Sequence, residues 1–275
     1  MPITKFGKNC DCDCCNLFET RFCQQLEYDS ASIGYLNDLF WDDDGSGGNA
    51  WQINTTDGGC VDLVCPDTNK PFAYGIASAG SFSGRRALFK PDLPDEWHAY
   101  FDIELRYDSS LPDSNYNVGF EVAVDYVDDD NYYGARVGYD QNFEPTGWGF
   151  EVLAFYWQIF KVVAGVETIL ETHRSYNAVP AASARTRLTI EVALVKCEET
   201  GDRMIYLGDY QSGGTTQIYQ GIQKVSNSGD NQFAMASQYS QYASATTFDC
   251  DGVTTSIYDH VRLWGLTIAR NEDDL

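Results

Sequence analysis

The feature that most restricts this chain is hydrophobic alternation with a period of two. Between His98 and Tyr107, the residues Phe101, Ile103, Leu105 and Tyr107 fall on one side and Asp102, Glu104 and Arg106 on the other. That spacing marks a half-buried strand, since a helix repeats every 3.6 residues. From Asn117 onward, Val118, Phe120, Val122, Val124 and Tyr126 oppose Gly119, Glu121, Ala123 and Asp125. The acidic turn Asp128-Asp129-Asp130-Asn131 leads into Tyr132-Tyr133-Gly134-Ala135-Arg136-Val137, so the two runs are predicted to form a hairpin. Leu188, Ile190, Val192 and Leu194 repeat the pattern. The last long run alternates through Asp259, Val261 and Leu263 and changes phase at Gly265, where a β-bulge is expected.

About a dozen such runs, separated by Gly, Asp, Asn and Ser, predict an all-β fold of two stacked antiparallel sheets. No intervening segment has the apolar stripe that a βαβ crossover helix would need. The one helical spacing is Phe18, Phe22 and Leu26, which predicts a short helix in an N-terminal appendage. A change from Cys-rich to strand-like composition divides the chain into a Cys-rich segment, residues 1–34, and a single sandwich, residues 35–275.

Charge narrows the partners. With 41 acidic against 18 basic residues and a formal net charge of -23, the surface repels a phosphate backbone, which argues against nucleic acid. No apolar run is long enough to cross a bilayer as a helix, and the first fifteen residues have no apolar core of signal-peptide length. The expected setting is extracellular, by processing or by a route without such a signal, or else a virion or other assembly.

Three stretches carry a resemblance: Tyr-Leu-Asn-Asp-Leu-Phe-Trp from Tyr35 with Trp51-Gln52-Ile53 after it, the hairpin ending Asp128 to Tyr139, and Tyr258 to Leu266 at the close. In these the chain resembles the concanavalin A-like lectin/glucanase superfamily, particularly bacterial laminin-G-like jelly rolls. The resemblance implies a jelly-roll sandwich from about Tyr35 to Arg270 with its first and last strands side by side. Asp259, Val261 and Arg262 are similar to that family's closing strand. The superfamily includes lectins, hydrolases, adhesion modules and virion proteins, so the fold does not choose the activity.

Catalytic patterns are incomplete. A retaining glucanase of this family would carry Glu-x-Asp-x-x-Glu on one strand face. Neither Asp102-Ile103-Glu104 nor Glu121 to Asp125 reproduces it, and both read as outer faces of half-buried strands. The serines of Gly80-Ser81-Phe82-Ser83-Gly84 are misplaced for a nucleophile elbow. His98, His173 and His260 are scattered, without a metal-ligand partner at close spacing. A glycan-active hydrolase or lyase is the alternative reading and requires carboxylates such as Glu104, Glu121 or Glu151 to converge in a cleft.

Two places suggest metal or crosslinking. Asp42, Asp44 and Ser46, followed by Gly47, resemble half of an EF-hand loop, a candidate calcium site, but Ile53 stands where the bidentate Glu belongs. A solvated acidic turn is the competing reading. Of nine cysteines, Cys10, Cys12, Cys14, Cys15 and Cys23 crowd together, enough for zinc but without paired Cys-x-x-Cys knuckles. Disulfides are the favoured reading, including links between subunits of a homo-oligomer, with Cys60, Cys65, Cys197 and Cys250 as further candidates. For ligand or partner contact the aromatic residues Trp148, Tyr156, Trp157, Tyr132 and Tyr133 stand out, with burial in a covered strand weighed against it. The expectation is a noncatalytic recognition or assembly module for glycan or protein.

Overall fold

The structure, a computed structural model, describes residues 17–21, 34–35, 41–43, 51–54, 72–75, 86–108, 117–143, 152–175, 183–196, 203–211, 215–219, 233–238 and 260–269. The described residues form strands and turns without a helix. Their strands are β1 (Phe18–Arg21), β2 (Gly34–Tyr35), β3 (Trp41–Asp43), β4 (Trp51–Asn54), β5 (Phe72–Gly75), β6 (Arg86–Phe89), β7 (Trp97–Asp108), β8 (Asn117–Asp128), β9 (Asn131–Phe143), β10 (Val152–Val163), β11 (Val166–Ser175), β12 (Ser183–Lys196), β13 (Arg203–Gln211), β14 (Thr215–Tyr219), β15 (Phe233–Gln238) and β16 (His260–Ala269).

They make two antiparallel sheets. A nine-stranded sheet runs β14-β13-β12-β7-β16-β5-β4-β2, with β1 also paired to β16. A seven-stranded sheet runs β11-β10-β9-β8-β15-β6-β3. The alternation read from sequence is what lets them stack, because each strand turns one apolar file inward. Phe101, Ile103 and Leu105 from β7 and Ile190, Val192 and Leu194 from β12 meet Phe120, Val122 and Val124 from β8 in one core. Phe233 on β15 ties the layers together. Its ring stacks on Phe89 at 4.9 Å, lies 5.5 Å from Trp97 and meets Phe101 edge-on at 5.6 Å. Burying a ring of this size stabilises the fold by about 2–3 kcal/mol before conformational entropy is counted.

The bulge expected at Gly265 is present: β16 pairs Leu263 with Ile103 and then Gly265 with Asp102. That slip keeps Val261, Leu263, Leu266 and Ile268 all in the core across the phase change. Two other expectations need correction. Residues 18–21 form strand β1, not the first turn of a helix, and they lie within the segment expected outside the sandwich. Phe18 is 1% exposed and meets Phe89 edge-on at 5.0 Å, so tertiary packing overrides the helical spacing.

Tyr126 also departs from its expected face. Asp125 adopts a left-handed backbone, φ 52°, and the register of β8 against β9 is interrupted between Val124 and Asp128. Three residues of β8, Asp125 to Val127, stand opposite Tyr132 alone, and with Asp125 turned inward Tyr126 packs beside Tyr132 and Phe160 on the outer face of the seven-stranded sheet. Asp125 itself is fully buried and accepts a hydrogen bond from Arg203 Nη1 at 3.0 Å, which joins β8 of one sheet to β13 of the other.

Candidate functional site

The outer face of the seven-stranded sheet carries the densest polar arrangement among the described residues. Period-two geometry puts Arg86 of β6, Glu121 of β8, Tyr132 and Arg136 of β9, and Gln158 and Phe160 of β10 on the side opposite the core. Neighbouring registers then bring them together: Glu121 is directly opposite Arg136, and Arg136 is directly opposite Gln158.

Arg86 is the hub of one half. Its Nη2 donates to Glu121 Oε1 at 2.6 Å and to the Tyr132 hydroxyl at 2.5 Å, and its Nη1 donates to Asp129 Oδ1 at 2.8 Å. Its guanidinium carbon also lies 4.5 Å from the Tyr132 ring centroid. Arg136 organises the other half. It donates through Nε to Gln158 Oε1 at 2.7 Å and grips Glu167 on β11 through two bonds of 2.7 and 3.0 Å. Its guanidinium carbon stands 4.4 Å from the Phe160 ring centroid. Such forked, stacked contacts need the flat guanidinium and would not survive replacement by lysine.

Glu121 joins the halves, with Oε2 lying 3.8 Å from Arg136 Nη1. This carboxylate is 1% exposed, yet among the described residues Oε2 has no hydrogen-bond donor, and Arg86 Nε has no acceptor. Burial pushes the Glu121 carboxyl above the ordinary carboxylate range, against the pull of the Arg86 and Arg136 charges. For Arg86, burial works against the charge, but the attraction of Glu121, Tyr132 and Asp129 outweighs it and leaves its pKa above the ordinary value. Burial, then Glu121, holds the Tyr132 phenol protonated well beyond its usual range. The network is therefore charged at arginine and reluctant to ionise further. Glu167, Thr172 and Asp129 form its exposed rim.

The residues singled out from sequence divide. Tyr133 and Trp157 point into the core, where a ligand on the surface would not reach them. Tyr132 and Tyr156 are on the outer face and also buried, and the Tyr132 ring is covered by Arg86. Trp148, Glu151, Asp44, Ser46 and all nine cysteines lie outside the described residues. Asp42 belongs to β3 in the seven-stranded sheet while Ile53 belongs to β4 in the other, so the half EF-hand stretch crosses between sheets. Among the described residues no group of three or more His, Cys, Asp or Glu is placed to hold a metal ion.

Glu104 and Glu121 do not converge. Glu104 faces outward from β7 in the nine-stranded sheet, on the opposite side of the sandwich from Glu121. Both are buried, not solvated as their strand positions suggested. On Glu104's side, His98 Nδ1 lies 2.6 Å from Glu191 Oε1, which also accepts from the Tyr100 hydroxyl at 3.1 Å. The Arg86–Glu121 pair spans 35 residues and lacks a local motif, so the sequence offered only one signal: a carboxylate beside small residues, Gly119 and Ala123, on one face.

No protein-family model and no curated protein sequence matches the chain. Solved structures overlap it in outline. The GH43 BlXynB protein from Bacillus licheniformis superposes with a TM-score of 0.41 at 10% identity, over 86% of this chain and 40% of that one. This chain thus spans well under half of BlXynB's length. The VIP36 exoplasmic/lumenal domain, in a Ca2+/Man3GlcNAc-bound form, gives 0.42 at 10% identity over 81% of this chain and 84% of that one. The Emp47p carbohydrate recognition domain gives 0.39 at 12% identity over 81% and 89%. Overlaps this loose leave the two-sheet sandwich resting on its own strand registers.

Proposed function

We propose that this chain is a noncatalytic recognition module that binds a hydroxyl-rich ligand, a glycan, on the outer face of the seven-stranded sheet. The observation that carries the reading is the paired network on that face, Arg86–Glu121–Tyr132 beside Arg136–Gln158–Glu167, which opens to solvent at a polar rim of Asp129, Glu167 and Thr172. Sugar hydroxyls donate to carboxylates and exchange hydrogen bonds with hydroxyl groups, so the rim of Asp129, Glu167 and Thr172 offers a ligand both acceptors and a donor. Each arginine is already neutralised by acidic neighbours, which favours an uncharged ligand over an anion. Recognition here works by hydrogen bonding, because the Tyr132 and Phe160 rings are occupied by guanidinium groups.

The catalytic alternative draws on one feature: Glu121 and Glu167 both converge on Arg136, and burial pushes Glu121 up as a general acid would require. Arg136 stands between the two carboxylates, where a scissile bond would have to lie. The noncatalytic reading is therefore preferred.

The test is a glycan array followed by calorimetry on any hit, with product analysis by mass spectrometry. Arg136→Lys should weaken binding tenfold or more, since a charge-assisted hydrogen bond is worth roughly 1.5–3 kcal/mol, with no cleavage by either protein. Cleavage that disappears in Glu121→Gln would support the alternative. Binding unaffected by Arg136→Lys would place the site elsewhere.

A further inference from the structure

The edge of the same sheet has the chemistry of a self-association surface. Among the described strands β11 pairs only with β10, and it ends the seven-stranded sheet. Every large hydrophobic residue found exposed among the described residues lies at this corner or beside it: Val127, Val163, Val166 and Ile169. The corner is firmly built. Gly165 N donates to Asp130 O at 3.0 Å and Ala164 N to Asn131 Oδ1 at 3.2 Å, so the β8–β9 and β10–β11 turns are bolted together. Ala164 and Gly165 both have positive φ, 50° and 75°, forming a two-residue hairpin turn. Val163 and Val166 close that turn, so the outward N–H and C=O groups beyond it belong to Glu167 and Ile169.

Charge identifies the occupant. Residues 152–175 contain Lys161 and Arg174 against Glu167 and Glu171, a formal balance of 2 − 2 = 0 in a chain of net charge -23. Two copies meeting along β11 bring together a neutral hairpin, with the exposed Asp128, Asp129 and Asp130 confined to the corner beside Ala164 and Gly165. The order of charges is also self-complementary. An antiparallel two-fold placed between Leu170 and Glu171 sets Glu167 of each copy opposite Arg174 of the other, Ile169 opposite Thr172, and Thr168 opposite His173. Glu167 and Arg174 are on one face, because their β10 partners Val162 and Tyr156 are. Leu170, the extra residue where β11 slips against β10 between Ile159 and Phe160, then sits at the axis. Regular ladder remains on both sides of it.

We propose that β11 pairs with β11 of a second copy of this chain, joining two seven-stranded sheets edge to edge. Sedimentation velocity over a concentration series, with reductant to remove any disulfide-linked species, is the test. A reductant-resistant dimer is expected, and Arg174→Glu, which leaves the Arg136–Glu167 fork in place, should raise its dissociation constant about tenfold, as two part-exposed pairs turn from attraction to repulsion. Ile169→Lys, which leaves both charges in place, should also weaken the dimer, and circular dichroism checks that each variant is folded. A monomer at every concentration, or a dimer indifferent to all of these changes, overturns the proposal.

Discussion

Gly134→Ala should be among the most damaging single-methyl additions in this protein. A Cβ built at Gly134 would lie 2.6 and 2.9 Å from Cε1 and Cε2 of Phe160 and closer still to Cζ, against ordinary contacts of 3.4–4 Å. Phe160 is fully buried between this backbone and the Arg136 guanidinium, so its ring must retreat by nearly 1 Å into a charged group held by Gln158 and Glu167. Overpacking of that kind costs about 1–3 kcal/mol, and the loss of part of the Arg136 network places this case at the upper end. For a domain of this size that is a fall in Tm of roughly 5–10 °C. Thermal and urea unfolding of the single variant, of Phe160→Leu and of the double variant form a cycle in which the smaller side chain recovers part of the loss. Additive losses, or an unchanged Tm in Gly134→Ala, would refute the claim that Phe160 is clamped against this glycine.

Three further outcomes follow from the geometry. Asp125→Ala should cost about 2 kcal/mol by urea unfolding, because it removes the hydrogen-bonded ion pair with Arg203 across the sheets and a residue tolerant of positive φ. Asp125→Asn, which suits that backbone, should cost less, and equal losses would show that the backbone contributes nothing. Glu121 has its folded pKa raised, so its contribution to stability is complete below the ordinary carboxylate value and is lost as pH rises through the raised one. The difference in unfolding free energy between wild type and Glu121→Gln, measured from pH 4 upward, should fall across that window; a flat or rising difference would contradict the assignment. Phe233→Ala should lose about 3–5 kcal/mol, since its ring touches Phe89, Trp97 and Phe101 together, and a loss under 1 kcal/mol would mean that the layers are held by other contacts.

The sandwich was legible in the sequence because alternation is a local property that the sheet repeats at every strand. Phe101, Ile103 and Leu105 face inward for the reason their spacing suggested, and even the phase change at Gly265 could be anticipated from the run that contains it. Phe18 could not, since its spacing from Phe22 is helical and only the distant strand β16 makes residues 18–21 extended. Tyr126 was misplaced because a left-handed residue at Asp125 breaks a pattern that is otherwise regular on both sides. The outer-face network stayed hidden for a related reason. Glu121 looks like any solvent-facing carboxylate until the sheet order sets Arg86 on one side of it and Arg136 on the other.

The most direct test of recognition on this face is hydrogen–deuterium exchange with and without a glycan identified on the array. Slowed exchange is expected, concentrated in 132–138, 156–160 and 167–172, the segments that carry Arg136, Gln158 and Glu167. Protection centred instead on the outer face of the nine-stranded sheet, around His98 and Glu191, would contradict it.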